Sequence, residues 1–142
     1  MNKIDKVKKI IVEKPLKLDC GKTISNFPLA YETYGTLNFK KDNAILAFHA
    51  LTGDQFASGS NPITDREGWW NYALGPGKSI DTNKYFVICA NVIGGCMGSY
   101  GPSSIDENTG KPFGTNFPVI TINDMVNAQY HLLEFFKIKK LF

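Results

Sequence analysis

The hydrophobic pattern of the chain changes character about a third of the way along. Residues 9–19, KIIVEKPLKLD, and 28–37, PLAYETYGTL, mix apolar with polar positions and read as extended, with the turn-forming CGKTISN between them. Such a pair closes most simply as an antiparallel hairpin. Ala44–Phe48 is instead a continuous apolar run, the pattern of a strand buried on both faces of a parallel sheet. REGWWNYALG, residues 66–75, is predicted as a short helix, stopped by Gly75, Pro76 and Gly77.

YFVICANVIGG, residues 85–95, is a second buried strand, apolar except for Asn91. TINDMVNAQYHLLEFFKI, from Thr121, is predicted as an amphipathic helix. Its stripe is Ile122, Met125, Val126, Gln129, Leu132, Leu133 and Phe136. Thr121 with Asp124 three residues on resembles a capping box, although Asp is shorter than the usual Glu. Lys137, Lys139 and Lys140 suit the negative end of the helix dipole. A hairpin followed by strand, helix, strand, helix predicts an α/β fold with a parallel sheet. The closing KKLF has the look of a further strand beginning, because a crossover helix normally returns the chain to the sheet. The expectation is one domain over residues 1–142, its C-terminal part missing.

Composition narrows the function classes. With 142 residues, 43% of them hydrophobic, the chain is long enough for a core. The net charge of +3 is small and scattered. Lys3, Lys6, Lys8, Lys9 and Lys14 alternate with apolar residues and lack the interleaved aromatics of a single-strand binder, which argues against nucleic acid. Cys20, Cys89 and Cys96 are odd in number and show no CxxC spacing. Free thiols in a reducing compartment are expected, not a disulfide frame or a zinc site. MNKIDKVKKIIVEKP lacks the apolar centre of a signal peptide, and no run approaches the ~20 apolar residues of a membrane span. The chain reads as cytoplasmic, with no membrane partner.

Most motif-like stretches fail on detail. GPGKS, Gly75–Ser79, would need a glycine at position 72 to be a P-loop, and Tyr72 stands there; a turn that stops a helix is the simpler reading. MGSYG around Ser99 has Met97 where a nucleophile elbow has its first glycine, and Pro102 follows where a helix should begin. Ser103, Ser104, Ser58 and Ser60 lack the flanking glycines. Cys96, at the end of a strand, is a candidate thiol nucleophile with His49 or His131, against the alternative of a packed loop thiol. His49 ends a buried strand, where it is placed to orient the following loop, and His131 lies mid-helix at the flank of the stripe. Asp54, Asp65 and Glu67 have no metal-ligand spacing, and Trp69 and Trp70 either line a pocket or cover the sheet. HALTGD, His49–Asp54, is the more informative stretch. It follows the carboxyl end of a buried strand, where ligands bind in such sheets, and its small residues allow backbone N–H groups to meet an oxyanion.

LAYETYGTLN, HALTGD, and the long block from GWWNYALGPGKSIDT through GGCMGSYGPSS to TINDMVNAQ together resemble the N-terminal part of the homoserine O-acetyltransferase family. The resemblance runs from about Leu29 to Gln129, with Asn71 and Tyr100 at positions more often Asp and Thr. It implies an α/β-hydrolase fold cut before the nucleophile elbow, with the serine and its aspartate and histidine partners beyond residue 142. It also implies acyl transfer from acyl-CoA to the homoserine hydroxyl in methionine synthesis, with acyl-CoA as co-substrate, no metal or prosthetic group, and a homodimer. Leu51 matches the position whose backbone N–H serves the oxyanion hole. The isolated chain is expected to be inactive. Two other readings are a remnant kept as a binding module and an unrelated cysteine hydrolase using Cys96.

Overall fold

The computed structural model describes residues 3–142, the side chain of Asp5 excepted. The expected hairpin is present: β1 (Lys9–Val12) pairs antiparallel with β4 (Phe27–Tyr34), Lys9 opposite Ala30 and Val12 opposite Phe27. A small hairpin of β2 (Leu16–Lys17) and β3 (Thr23–Ile24) lies between them in the chain. β4 pairs antiparallel with β8 (Phe86–Ala90), and β8 pairs parallel with β5 (Ala44–Ala47). The main sheet therefore has the order β1-β4-β8-β5.

β8 is central and every one of its residues is buried. Its side chains alternate between two cores, as the pleat requires. Phe86, Ile88 and Ala90 join Phe27, Leu29, Ala128 and Leu132 on one face, while Val87 and Cys89 join Ala47, Ala57 and Leu74 on the other. β5 departs from the expectation of full burial: Ile45 and Leu46 are half-buried and Phe48 is 52% exposed. The reason is its place at the edge of the sheet, with a strand on one side only.

The connection from β5 to β8 also corrects the sequence reading. Residues 66–75 form successive turns that end in β6 (Leu74–Gly75), which pairs parallel with β7 (Ile80–Asp81). Helix formation would require the Trp70 N–H to bond the Arg66 carbonyl one turn back and would leave the Gly68 N–H free at the first turn. The Gly68 and Trp70 N–H groups donate instead to Gly59 and Ala57, at 2.8 and 2.7 Å. A side chain at Gly68 would lie 2.4 Å from the Ser58 nitrogen, so the strand of chain at 57–59 and this segment are in backbone contact.

Helix α1 (Ile122–Phe136) starts as predicted. Thr121 Oγ accepts the Asp124 N–H at 3.2 Å and the Asp124 carboxylate accepts the Thr121 N–H at 2.9 Å. The other Asp124 oxygen accepts the Asp19 N–H at 2.9 Å, which is why the shorter acid suffices and is buried. The helix ends in a left-handed Lys137, with Ile138 N–H returning to the Leu133 carbonyl. Its buried face is narrower than the predicted stripe: Asp124, Ala128, Gln129 and Leu132 are inside, whereas Ile122 and Val126 are exposed. No helix among the described residues is long and apolar enough to cross a membrane.

A candidate oxyanion loop at the carboxyl end of the sheet

Directly after β5 the chain makes a tight turn, with the Gly53 N–H donating to the Ala50 carbonyl at 2.8 Å. Leu51 and Thr52 are its central residues. Leu51 is 94% exposed, and among the described residues no acceptor meets its N–H. Gly53 is tightly placed: a Cβ there would lie 3.0 Å from the His49 Cβ and 3.2 Å from the Ala50 carbonyl oxygen.

Two cross-links join this turn to the loop after β8. Val92 N–H donates to His49 Nε2 at 3.3 Å, while His49 Nδ1 lies 2.7 Å from the Ala50 carbonyl oxygen. Gln55, wholly buried, donates its amide to the Met97 carbonyl at 2.9 Å. Asp54 is held in place by neutral donors, the Phe56 N–H and the Asn61 amide, both at 2.8 Å, and its carbonyl accepts the Trp69 indole N–H at 2.8 Å. Thr52, Gly53, Asp54, Arg66, Trp69 and Met97 line a cavity of about 320 Å³ beside the turn. Trp69 thus lines the pocket, and it also stacks on Trp70 at 5.3 Å over the second core.

The glycine-rich stretch after β8 is a packed wall. A Cβ at Gly101 would sit 2.3 Å from the Gly95 carbonyl oxygen, and one at Gly95 would sit 2.9 Å from the Asn91 side chain. Ser99 is buried, donating to the Asn91 carbonyl at 2.5 Å and accepting the Ala30 N–H at 2.9 Å. Both hydrogen-bonding roles of its hydroxyl are taken. Ser104 accepts the Gly101 N–H, and Ser58 donates to the Leu74 carbonyl. GPGKS forms the turn between β6 and β7, with the Gly77 N–H bound to the Asp81 carboxylate at 2.8 Å. That N–H and the Asn83 N–H hold the Asp81 carboxyl below its ordinary value, so the Gly77 N–H is already taken by an acid.

Cys96 is exposed and Cys89 buried; burial, with Asp54 nearby, pushes the Cys89 thiol up to about 12. His131 contacts Glu134 on its own helix. Among the described residues no serine or cysteine is hydrogen-bonded to a histidine. Asp65 pairs with Lys3, and Glu67 accepts the Asn71 amide, so these acids and Asp54 have separate partners. The Gln55 and His49 cross-links and the place of Arg66 in the cavity wall are not visible in sequence spacing; the signals for the first two are polar side chains flanking a buried strand end.

No protein-family model matches the chain. It is 75% identical over 136 residues to the homoserine O-acetyltransferase of Pelagibacter ubique, a match that covers 96% of this chain and 37% of the relative. Among solved structures, the crystal structure of homoserine O-acetyltransferase from Bacillus anthracis superposes with a TM-score of 0.86 at 36% identity, covering 96% of this chain and 38% of that one. The crystal structure of esterase E22 superposes with a TM-score of 0.82 at 38% identity, with the same coverage of 96% and 38%. The chain therefore spans little more than a third of the length of the proteins it matches. By sequence and by its α/β-hydrolase sheet, it belongs to the homoserine O-acetyltransferase family and corresponds to the N-terminal part of its members.

Proposed function

We propose that this chain is the oxyanion-loop portion of an enzyme that transfers an acyl group from acyl-CoA to the hydroxyl of homoserine. A serine downstream of residue 142 attacks the thioester carbonyl, and the CoA thiolate leaves and takes a proton. The homoserine hydroxyl then attacks the acyl-serine, yielding the homoserine ester and the free serine. Each step passes through a tetrahedral oxyanion, and a backbone N–H already aimed at it stabilises charge at no reorganisation cost. Leu51 supplies one such donor. The carrying observation is its N–H, without an acceptor among the described residues, in a crowded turn at the carboxyl end of β5 beside the 320 Å³ cavity. The name and 75% identity of the Pelagibacter ubique relative support homoserine as the acceptor and acetyl as the group transferred.

The chemistry calls for no metal or prosthetic group, and the working form is a homodimer placed in methionine synthesis. The exposed free thiols Cys20 and Cys96 suit the reducing cytoplasm. Residues 1–142 by themselves are inactive on this reading, because no nucleophile–histidine pair exists among the described residues.

The similarity to esterase E22 favours a second reading, in which water replaces homoserine. Both are tested by joining residues 1–142 to the C-terminal remainder of the Pelagibacter ubique relative and assaying acetyl-CoA. In this completed chain, CoA release that depends on homoserine is expected. Equal release without homoserine would make the enzyme a hydrolase. No release from a folded chain would leave a binding module.

A further inference from the structure

We propose that His49 is a positioning residue that aims the Leu51 N–H, acting as the neutral imidazole protonated on Nδ1. The inference rests on the reading of Leu51 as an oxyanion donor. Val92 N, 3.3 Å from Nε2, can only donate, so Nε2 must carry the lone pair. The Ala50 carbonyl oxygen, 2.7 Å from Nδ1, can only accept, so Nδ1 must carry the proton. Both contacts demand the same tautomer, and neither the other tautomer nor the imidazolium satisfies Val92.

The consequence follows from peptide geometry. The carbonyl of Ala50 and the N–H of Leu51 belong to one planar trans unit and point in opposite directions. Fixing the carbonyl therefore fixes the N–H. The Ala50 oxygen is gripped twice, by His49 Nδ1–H and by the Gly53 N–H at 2.8 Å, which also polarises the amide and strengthens its N–H as a donor. The Val92 bond ties the ring to the loop that begins directly after the buried central strand β8, so the donor is held against a second segment of chain. Gly53 completes the fit, since any side chain there would press on the His49 Cβ at 3.0 Å.

Three measurements on the completed chain test this. The ¹⁵N spectrum of labelled imidazole, assigned with His49→Gln, should show a neutral ring protonated on Nδ1; protonation on Nε2 would overturn the inference. His49→Ala should lower kcat by about 10- to 100-fold with little change in KM for homoserine. His49→Asn, whose amide nitrogen can replace Nδ1 on the Ala50 carbonyl, should recover most of that loss. A folded His49→Ala variant within twofold of the parent kcat, beside a crippled Leu51→Pro, would overturn the role of His49 alone. A fully active, folded Leu51→Pro would remove the donor reading and this inference with it.

Discussion

The backbone N–H of Phe142 donates to the carbonyl of Ala44 at 2.8 Å. Phe86 N–H bonds the neighbouring Asn43 carbonyl on the β8 side, so the Ala44 group points to the outer edge of β5. After α1 the chain thus comes back to the outer edge of β5, the strand that leads into the Ala50–Gly53 turn. Residues 139–142, expected as the beginning of a strand, form none among the described residues; Phe142 makes this one backbone bond to β5.

An open, apolar parallel edge templates association. Residues 1–142 expressed by themselves should self-associate, with a urea transition that is broad and dependent on protein concentration. The completed chain should unfold as a sharper transition that is independent of concentration. A cooperative, monomeric transition for residues 1–142 would contradict the role given to the β5 edge.

How far the sequence could be read depended on whether the partner was local. The pattern of β8 and the Thr121–Asp124 cap specify themselves within a few residues, and both are as expected. The segment at residues 66–75 reads as a short helix stopped by Gly75–Gly77, yet its Gly68 and Trp70 N–H groups go to Gly59 and Ala57. Such pairings leave no periodic trace. On α1 the small Ala128 faces the sheet while Ile122 and Val126 turn outward, an assignment that hydrophobicity alone inverts. The place of the HALTGD turn at a strand end was legible. Its links from His49 to Val92 and from Gln55 to Met97 were not, because they span 43 and 42 residues.

Cys96 is exposed and, among the described residues, is hydrogen-bonded to no histidine, whereas Cys89 is fully buried with its thiol pushed up to about 12. Cys96→Ser in the completed chain should keep most of the acyl transfer, and Cys89 should resist alkylation at pH 8 until the protein unfolds. Loss of the acyl-enzyme in a folded Cys96→Ser variant would restore the cysteine nucleophile.

Acid should weaken the fold through three carboxylates. The Thr121 hydroxyl and Asn123 amide hold Asp19 below its ordinary 3.8, the Gly77 and Asn83 N–H groups do the same for Asp81, and Lys14 with His131 hold Glu134 below 4.5. Depressed acids contribute stability that is complete above their unfolded values and lost as pH falls through the folded ones. The urea midpoint of the completed chain should therefore decline below about pH 4.5, less steeply in Asp19→Asn and with small amplitude, because Asp19 and Glu134 face solvent. A midpoint that rises as pH falls through this range would contradict these assignments.

The most direct measurement is the kcat of Leu51→Pro in the completed chain. Leu51 is the second residue of the Ala50–Gly53 turn, a position where proline is favoured, and its φ is not positive. The turn-closing bond from Gly53 to Ala50 does not use the Leu51 N–H, so the substitution removes the donor and leaves the turn. Turnover should fall by about 10²–10³ while the unfolding midpoint stays close to the parent value. Near-parental turnover in the folded variant would contradict the assignment of Leu51 to the oxyanion hole.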